Sequence, residues 1–273
     1  MLQENKIHRM DTIQFMNSLD NEVVDLVFTS PPYNVSYRND LKRYTQYDDN
    51  LSDEDYINWT INIFKCYEKI LTKNGVICYN VSYSVKNPHL IYEVVSEIIK
   101  KTNFTTADTI VWKKRSATPN SVNHNRLTRI CEFVFVFVRK SEIDTFFCNK
   151  PKVEVSKNGQ QYYGNIFNFI EADNNDLFTE EHNATFSSEL ARWIIKLYSK
   201  QNSLIMDNFM GTGTTAVASI QTGRRYIGCE ISEEYIKIAN QRLQQKTLLD
   251  AFSSTQAPTS LESFNKDPDL MFN

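Results

Sequence analysis

Short apolar runs alternate with segments of helical periodicity along most of the chain. Residues 23–28 predict a strand, and apolar positions recur at three- and four-residue steps over 57–71, which predicts a helix with a capping box at Ser52. The turn formers Lys73, Asn74 and Gly75 are expected to end this helix before a strand at 76–79. This alternation favours an α/β fold with helices on both faces of the sheet.

The alternation continues almost to the end of the chain, with one interruption. Further strands are predicted at 109–112, 131–138, 203–206 and 226–229, and further helices over 90–100, from 188, after 213 and from 232. Between 149 and 181 polar residues with interleaved aromatics replace the pattern, which predicts an inserted element that faces the substrate. Residues 249–273 have few apolar side chains and are predicted to be a disordered tail.

Composition excludes several classes of protein. Of the 273 residues, 41% are hydrophobic and 23% are charged, which is typical of a soluble globular protein. The apolar runs are far shorter than the about 20 residues of a membrane span, and the start lacks a secretory pattern, so a cytoplasmic protein is expected. The five cysteines form no C-x-x-C pair and the four histidines are scattered, so no metal is expected.

Basic side chains are concentrated in the middle of the chain. Residues 100–159 hold 12 Lys and Arg against 5 Asp and Glu, although the whole chain has a net charge of −3. Such a segment can face phosphates, and it can equally be a solvated basic surface without a partner.

A glycine-rich turn, Asp207-Asn208-Phe209-Met210-Gly211-Thr212-Gly213-Thr214-Thr215, follows the strand predicted at 203–206 and opens a helix. Glycines there let the backbone approach a ligand at the carboxyl edge of a parallel sheet. Asp207 is placed to accept a hydrogen bond from a bound amino group, and Glu230, at the end of the next strand, to hold both hydroxyls of a ribose. The combination favours a nucleoside cofactor over a merely tight strand–helix turn.

A second turn, Thr29-Ser30-Pro31-Pro32-Tyr33-Asn34, follows the first apolar strand. Its two prolines fix two φ angles and remove two backbone donors, which leaves the carbonyl oxygens of Ser30 and Pro31 freer to accept from a ligand. This rigid corner suits the exocyclic amino group of a flat base that stacks on Tyr33. An ordinary loop start is the alternative interpretation.

Together the two turns resemble the motifs of the amino-methyltransferase family of DNA methylases. In that family the first is the catalytic (S/D/N)-P-P-(Y/F) motif and the second is the S-adenosylmethionine motif, and their order here is similar to that of the circularly permuted β class. Segments 7–11, 109–114, 129–140 and 182–187 extend the resemblance over about residues 5–248. The family often has proline where Asn183, Ser187 and Asn208 stand, and serine where Thr212 stands.

The resemblance implies a doubly wound, mostly parallel, seven-stranded sheet of the Rossmann-like S-adenosylmethionine methyltransferase type. It implies one catalytic domain over 1–248 with a target-recognition insert at 140–181, and S-adenosyl-L-methionine as cofactor without a metal. The residues that it assigns to the cofactor are Asp11, Thr29, Phe186, Ser187, Asp207, Phe209, Gly211, Gly213, Thr214 and Glu230. Those assigned to catalysis are Ser30, Pro31, Pro32 and Tyr33, and DNA contacts are expected from Lys113, Lys114, Arg115, Arg126 and Arg129.

The implied reaction is methyl transfer to the exocyclic amino group of a flipped-out base in double-stranded DNA. If Ser30 Oγ and the Pro31 carbonyl accept the two N–H bonds, the nitrogen can aim its lone pair at the methyl group. Serine at position 30 favours N4 of cytosine over N6 of adenine. An RNA or protein methyltransferase and a DNA-binding accessory protein with an inactive pocket are the other readings. A cognate restriction endonuclease, as in a restriction-modification system, and a homodimer are left open as partners, and no membrane is expected.

Overall fold

The computed structural model describes residues 2–34, 51–83, 87–116, 125, 127–150, 152–155, 159, 161–163, 167–173 and 187–253. The strands are β1 (Lys6–Arg9), β2 (Val24–Thr29), β3 (Leu71–Val81), β4 (Phe104–Lys114), β5 (Cys131–Arg139), β6 (Lys152–Val155), β7 (Gln161–Tyr163), β8 (Phe169–Ala172), β9 (Leu204–Asp207) and β10 (Arg225–Glu230). The helices are α1 (Thr12–Asn17), α2 (Asp53–Ile70), α3 (Leu90–Lys101), α4 (Ser188–Tyr198), α5 (Thr214–Gln221) and α6 (Glu233–Ser253).

Eight strands form the main sheet in the order β1-β10-β9-β2-β3-β5-β4-β8. Every neighbouring pair is parallel except the two pairs that involve β5, so the expected mostly parallel α/β sheet is confirmed. The expected count of seven strands is wrong, because β8 pairs with β4 as an additional edge strand. β8 has four residues in an otherwise polar segment, too short a run for its alternation to be recognised in the sequence.

Alternate residues of the central strands pack against helices on opposite faces of the sheet. In β5, Phe135 and Phe137 lie in the core that α1, α2 and α3 cover, whereas Val134, Val136 and Val138 lie in the core that α4 covers. A third cluster, between α5 and α6, covers β1 and β10. Because both faces of β5 are buried, its sequence is an uninterrupted apolar run rather than an alternating one.

Helix α2 begins as predicted, with the Ser52 hydroxyl accepting a hydrogen bond from the Asp55 backbone N–H at 3.1 Å. Its predicted end is wrong, since strand β3 starts at Leu71 and runs through the three turn-forming residues. These residues form an irregularity between the pairs Val24–Leu71 and Leu26–Val76, where Asn74 has a φ of +61°. Turn-forming residues signal a bulge as readily as a loop, which explains the error.

The strand directions place both sequence motifs at one edge of the sheet. Strands β2 and β9 are parallel neighbours, with Val27 beside Met206, and each runs directly into its turn. β5 runs the other way, so its first residues lie at the same edge. Helix α6 extends to Ser253, and residues 254–273 of the predicted tail lie outside the described residues. Within the described ranges, none of the helices is both long and apolar enough to span a membrane.

Candidate active site

One buried carboxylate joins the two turns. Asp207 Oδ1 accepts hydrogen bonds from Thr29 Oγ1 at 2.7 Å and from the Phe209 backbone N–H at 3.0 Å, and Asp207 Oδ2 accepts from Thr215 Oγ1 at 2.6 Å. The three contacts connect the end of β2, the glycine-rich turn and the first turn of α5. The two motifs are therefore held side by side although 178 positions separate Thr29 from Asp207.

Burial makes the carboxyl group of Asp207 easier to protonate than one in water. Burial raises the pKa of Asp207 to about 6, while the hydroxyls of Thr215 and Thr29 and the N–H of Phe209 act in the opposite direction. The side chain is fully buried and already holds these donors. Asp207 thus links the two motifs, and its expected contact with a bound amino group stays a prediction.

The two central glycines of the turn have different surroundings. Gly213 caps α5 with a φ of +85°, and a Cβ there would lie 2.8 Å from Ala239 Cβ of α6. Gly211 has a φ of +50°, and the nearest atom to its Cβ would be Phe209 O at 3.9 Å. The positive φ favours glycine at both positions; Gly213 is required by packing as well, whereas Gly211 leaves space beside the backbone for a ligand.

Glu230 closes the other side of the turn. Its Oε2 accepts from the Gly211 N–H at 2.9 Å, and its Oε1 accepts from the backbone N–H groups of Ile231 and Ser232, each at 2.9 Å. Burial raises the pKa of Glu230, and the three N–H groups oppose that shift. A carboxylate offers about four acceptor positions, so acceptor capacity is left for a ligand hydroxyl, and the expected hold on both ribose hydroxyls stays a prediction.

The turn is supported from several helices. Asn208, where the family often has proline, accepts from Tyr67 Oη at 2.7 Å and donates to Thr12 Oγ1 at 2.6 Å. Arg242 of α6 donates to the Thr212 carbonyl at 2.8 Å. These side-chain hydrogen bonds provide the backbone restraint that a proline would otherwise supply.

Three further residues expected at the cofactor lie around this turn. Phe209 packs its ring against Trp59 of α2, with 5.5 Å between centroids, and Thr214 is buried. Asp11 follows β1 and caps α1, where its Oδ1 accepts from the N–H groups of Ile13 at 2.9 Å and Gln14 at 3.2 Å. Ser187 is buried at the start of α4, whereas Phe186 lies outside the described residues.

The proline turn is fixed by hydrogen bonds to α2 and to Leu51, which lies just before α2 in the chain. Tyr56 Oη donates to the Pro32 carbonyl at 2.8 Å, and the Asn34 amide both donates to and accepts from the Leu51 backbone at 2.9 Å. Pro31 is buried. The corner that presents Ser30 is consequently restrained on both sides.

Ser30 lies in a polar cluster that the sequence analysis did not identify. Ser30 Oγ is 2.8 Å from Tyr33 Oη, and Tyr33 Oη donates to Glu132 Oε2 at 3.1 Å. The buried Asn80 amide nitrogen is within 3.3 Å of Ser30 Oγ. Lys114 Nζ donates to Glu132 Oε1 at 2.6 Å. Asn80 and Glu132 lie within apolar strands, where a single polar residue has no motif around it to reveal its role.

Those basic residues expected at DNA that the structure describes have protein partners. Lys113 pairs with Glu171 at 2.6 Å, and Arg115 pairs with Glu189 and Asp173, each at 2.8 Å. Arg129 lies over the Tyr83 ring and donates to its carbonyl. Lys114 belongs to the Ser30 cluster, and Arg126 lies outside the described residues. Local carboxylates therefore offset much of the positive charge counted in the sequence.

In the described part of the chain, no group of three or more His, Cys, Asp or Glu side chains is arranged to hold a metal ion. The acidic residues near the site instead accept hydrogen bonds from backbone and hydroxyl groups.

A mostly parallel sheet with a glycine-rich turn and an acidic strand end at one edge defines an α/β enzyme of the nucleoside-cofactor-binding class. A model of the DNA methylase family matches residues 24–241. The chain therefore belongs to the DNA methylase family and is an S-adenosylmethionine-dependent methyltransferase that acts on N4 of cytosine or N6 of adenine in DNA.

Several known proteins are similar over nearly the whole chain. The type II methyltransferase M1.MboII of Moraxella bovis is 24% identical over 273 residues, covering 90% of this chain and 98% of that protein. The cytosine-N4-specific PvuII DNA methyltransferase has a similar fold, with a TM-score of 0.67 at 19% identity over 91% of this chain and 92% of its own. The complex of M1.HpyAVI with SAM has a TM-score of 0.63 at 24% identity over 87% of this chain and 98% of its own.

The glycine-rich turn fits this cofactor. S-adenosylmethionine supplies a methyl group on a positively charged sulfur and has ribose hydroxyls. The open space beside Gly211 and the remaining acceptor position of Glu230 can hold a hydroxyl, and the negative charge of Glu230 favours a cation.

Proposed function

We propose that this enzyme methylates N4 of cytosine in double-stranded DNA, with the target base flipped out of the helix and held at Ser30. The observation that carries the proposal is the position of the Ser-Pro-Pro-Tyr turn. The turn follows β2 directly, and β2 lies next to β9, which ends in the glycine-rich turn. The Thr29–Asp207 hydrogen bond joins the two turns. This arrangement supports a site in which the methyl donor and the acceptor nitrogen meet at one edge of the sheet.

In this proposal the protein contributes orientation and charge stabilisation. Ser30 Oγ and the Pro31 carbonyl accept the two N–H bonds of the amino group, so that its lone pair faces the methyl group. The hydroxyl of Ser30 is a neutral acceptor. The resemblance of the Ser-Pro-Pro-Tyr turn to that of cytosine enzymes favours N4 of cytosine as the target. N6 of adenine is the alternative target, because the same two acceptors suit its amino group.

The test uses DNA from cells that express the wild type, Ser30→Ala or the control Ser96→Ala, which changes a half-buried serine on α3. Nucleoside mass spectrometry should find N4-methylcytosine with the wild type and Ser96→Ala, and a loss of about 100-fold or more with Ser30→Ala. N6-methyladenine in its place would move the proposal to the alternative. Equal methylation by Ser30→Ala would refute the role of Ser30.

We further propose that the end of β4 and residues 140–181 contact the DNA. β4 is parallel to β2 and β3 in the sheet, so Lys113 and Arg115 lie at the same edge as Ser30, and both remain partly exposed. In a titration of DNA binding against salt, Lys113→Ala should reduce the slope of log K by about 0.9 if Lys113 releases one counterion. An unchanged slope would remove Lys113 from the interface.

The biological setting is also a proposal. A role in restriction-modification in the cytoplasm is supported by relatives with the name type II methyltransferase, among them M.BglII of Bacillus subtilis, 24% identical over 261 residues, covering 88% of this chain and 69% of that protein. M.BamHII of Bacillus amyloliquefaciens is instead named an orphan methyltransferase. Sequencing of the neighbouring genes tests for a cognate endonuclease. Measurement of the molecular mass in solution tests for a homodimer.

A further inference from the structure

A chain of hydrogen bonds connects Ser30 to a carboxylate on the antiparallel strand β5. Ser30 Oγ and Tyr33 Oη are 2.8 Å apart, Tyr33 Oη is 3.1 Å from Glu132 Oε2, and Lys114 Nζ is 2.6 Å from Glu132 Oε1. The Glu132 side chain is only 13% exposed. The chain therefore runs from a surface corner into the protein and ends at an ion pair.

The ion pair sets the direction of every hydrogen bond in this chain. A carboxylate can only accept, so Tyr33 donates its O–H to Glu132, and Ser30 in turn donates its O–H to Tyr33. The Asn80 amide nitrogen, 3.1 Å from Tyr33 Oη and 3.2 Å from Glu132 Oε2, is a donor as well and supports the same direction. The hydrogen of Ser30 thus points at Tyr33 Oη.

This direction matters because a serine hydroxyl carries one hydrogen and two lone pairs. Asn80 Nδ2, at 3.3 Å, faces one lone pair of Ser30 Oγ, and the other is left for a ligand N–H. A carboxylate at this position would need no such arrangement, because it has no hydrogen to misdirect. Serine serves best as the acceptor when its own hydrogen is held by another group and does not compete for the ligand.

We propose that Glu132 is a positioning residue that, through Tyr33, keeps Ser30 Oγ an acceptor for the amino group of the target base. Lys114 pairs with Glu132 and so belongs to this hydrogen-bond chain rather than to the DNA-binding surface. The inference rests on the proposed function, since it requires Ser30 to receive the amino group. It adds Glu132, Asn80 and Lys114 to the residues on which methyl transfer depends.

Glu132→Gln is the decisive variant because it keeps the shape of the side chain. Its amide oxygen faces the Lys114 ammonium, so its NH₂ group faces Tyr33 and reverses the chain. The Ser30 hydrogen then points at the base. We expect kcat for transfer of tritiated methyl groups to fall about 10- to 100-fold, with the KM for S-adenosylmethionine unchanged.

Glu142→Gln is a matched control. Glu142 lies just beyond the opposite end of β5, is 12% exposed and pairs with Arg139 at 3.3 Å. It therefore loses a comparably buried ion pair without touching the Ser30 cluster. We expect wild-type kcat from Glu142→Gln, and similar changes in melting temperature for both variants.

A double-mutant cycle tests whether Glu132 acts through Tyr33. Tyr33→Phe removes the linking O–H and keeps the ring, so it should lower kcat by a factor similar to that of Glu132→Gln. It therefore tests the inference even if Glu132→Gln fails to fold. In the Tyr33→Phe background, Glu132→Gln should lower kcat by less than about twofold more.

Three results would overturn the inference. They are a double variant whose loss of kcat is the product of the two single losses, a rise in the KM for S-adenosylmethionine without a fall in kcat, and a wild-type kcat for either single variant. Failure of the proposed function looks different, because Ser30→Ala would then be as active as the wild type. An inactive Ser30→Ala with a fully active Glu132→Gln overturns only the role of Glu132.

Discussion

Replacing Asp207 with asparagine isolates the effect of one buried charge. Asp207→Asn keeps the shape of the side chain and an oxygen that can accept from Thr29 and the Phe209 N–H. It removes a carboxyl whose pKa burial raises from 3.8 to about 6. A difference of about two pKa units corresponds to about 3 kcal/mol at 1.36 kcal/mol per unit.

The sign of the effect follows from which state holds the proton more tightly. Between pH 4 and 6 the folded protein binds a proton at Asp207 and the unfolded chain does not, so this group's contribution to stability is fully present below about pH 4. The contribution is lost as pH rises through about 6. The free energy of unfolding of the wild type should therefore fall by about 3 kcal/mol relative to that of Asp207→Asn over this range.

Urea unfolding of both proteins from pH 4 to pH 8 measures this difference directly. All other titrating groups are shared, so they largely cancel when the variant is subtracted from the wild type. A difference that does not change with pH would show that burial does not perturb Asp207. A difference that rises with pH would show that the hydrogen bonds from the threonines outweigh burial.

The remaining predictions concern the same turn. Thr215→Val leaves the buried carboxylate one donor short and should lower the free energy of unfolding by about 1–3 kcal/mol, whereas Thr105→Val on β4 should not. Gly213→Ala should cost about 1–3 kcal/mol in the same assay, because of its φ of +85° and the Ala239 contact at 2.8 Å. Gly211→Ala, where 3.9 Å separates a Cβ from its nearest neighbour but φ is +50°, should lower stability through backbone strain alone and should in addition weaken cofactor binding in calorimetry. S-adenosylmethionine affinity should rise between pH 5 and 7, because the pKa values of Asp207 and Glu230 are raised and a cation favours their ionised forms; equal affinity at both pH values would contradict this.

The sequence predicted the parts of the molecule in which a local pattern carries the information. The apolar run of β5 and the periodicity of α3 are such patterns, and both elements lie within one or two residues of their predicted bounds. The two turns were also identifiable, because glycine and proline restrict the backbone in ways that few other residues can replace. Strand β8 was missed because four residues carry too little signal.

The interactions within the site depend on contacts between distant positions, and these were not predictable. Position 207 was recognised as important, but its link to Thr29 requires β2 and β9 to be neighbours. Glu132 is one acidic residue in an apolar strand, and only the antiparallel direction of β5 brings it to the site. Lys114 was expected at DNA because sequence shows a positive charge without showing its partner.

The Thr29–Asp207–Thr215 contacts depend on which strands lie side by side and not on the order in which the chain visits them. A polypeptide that built β9 and α5 first and β2 last would form the same corner, provided that its connecting loops reached. Rearrangement of gene segments can therefore reorder the two motifs without changing the chemistry, so motif order records the history of a protein of this architecture rather than its reaction.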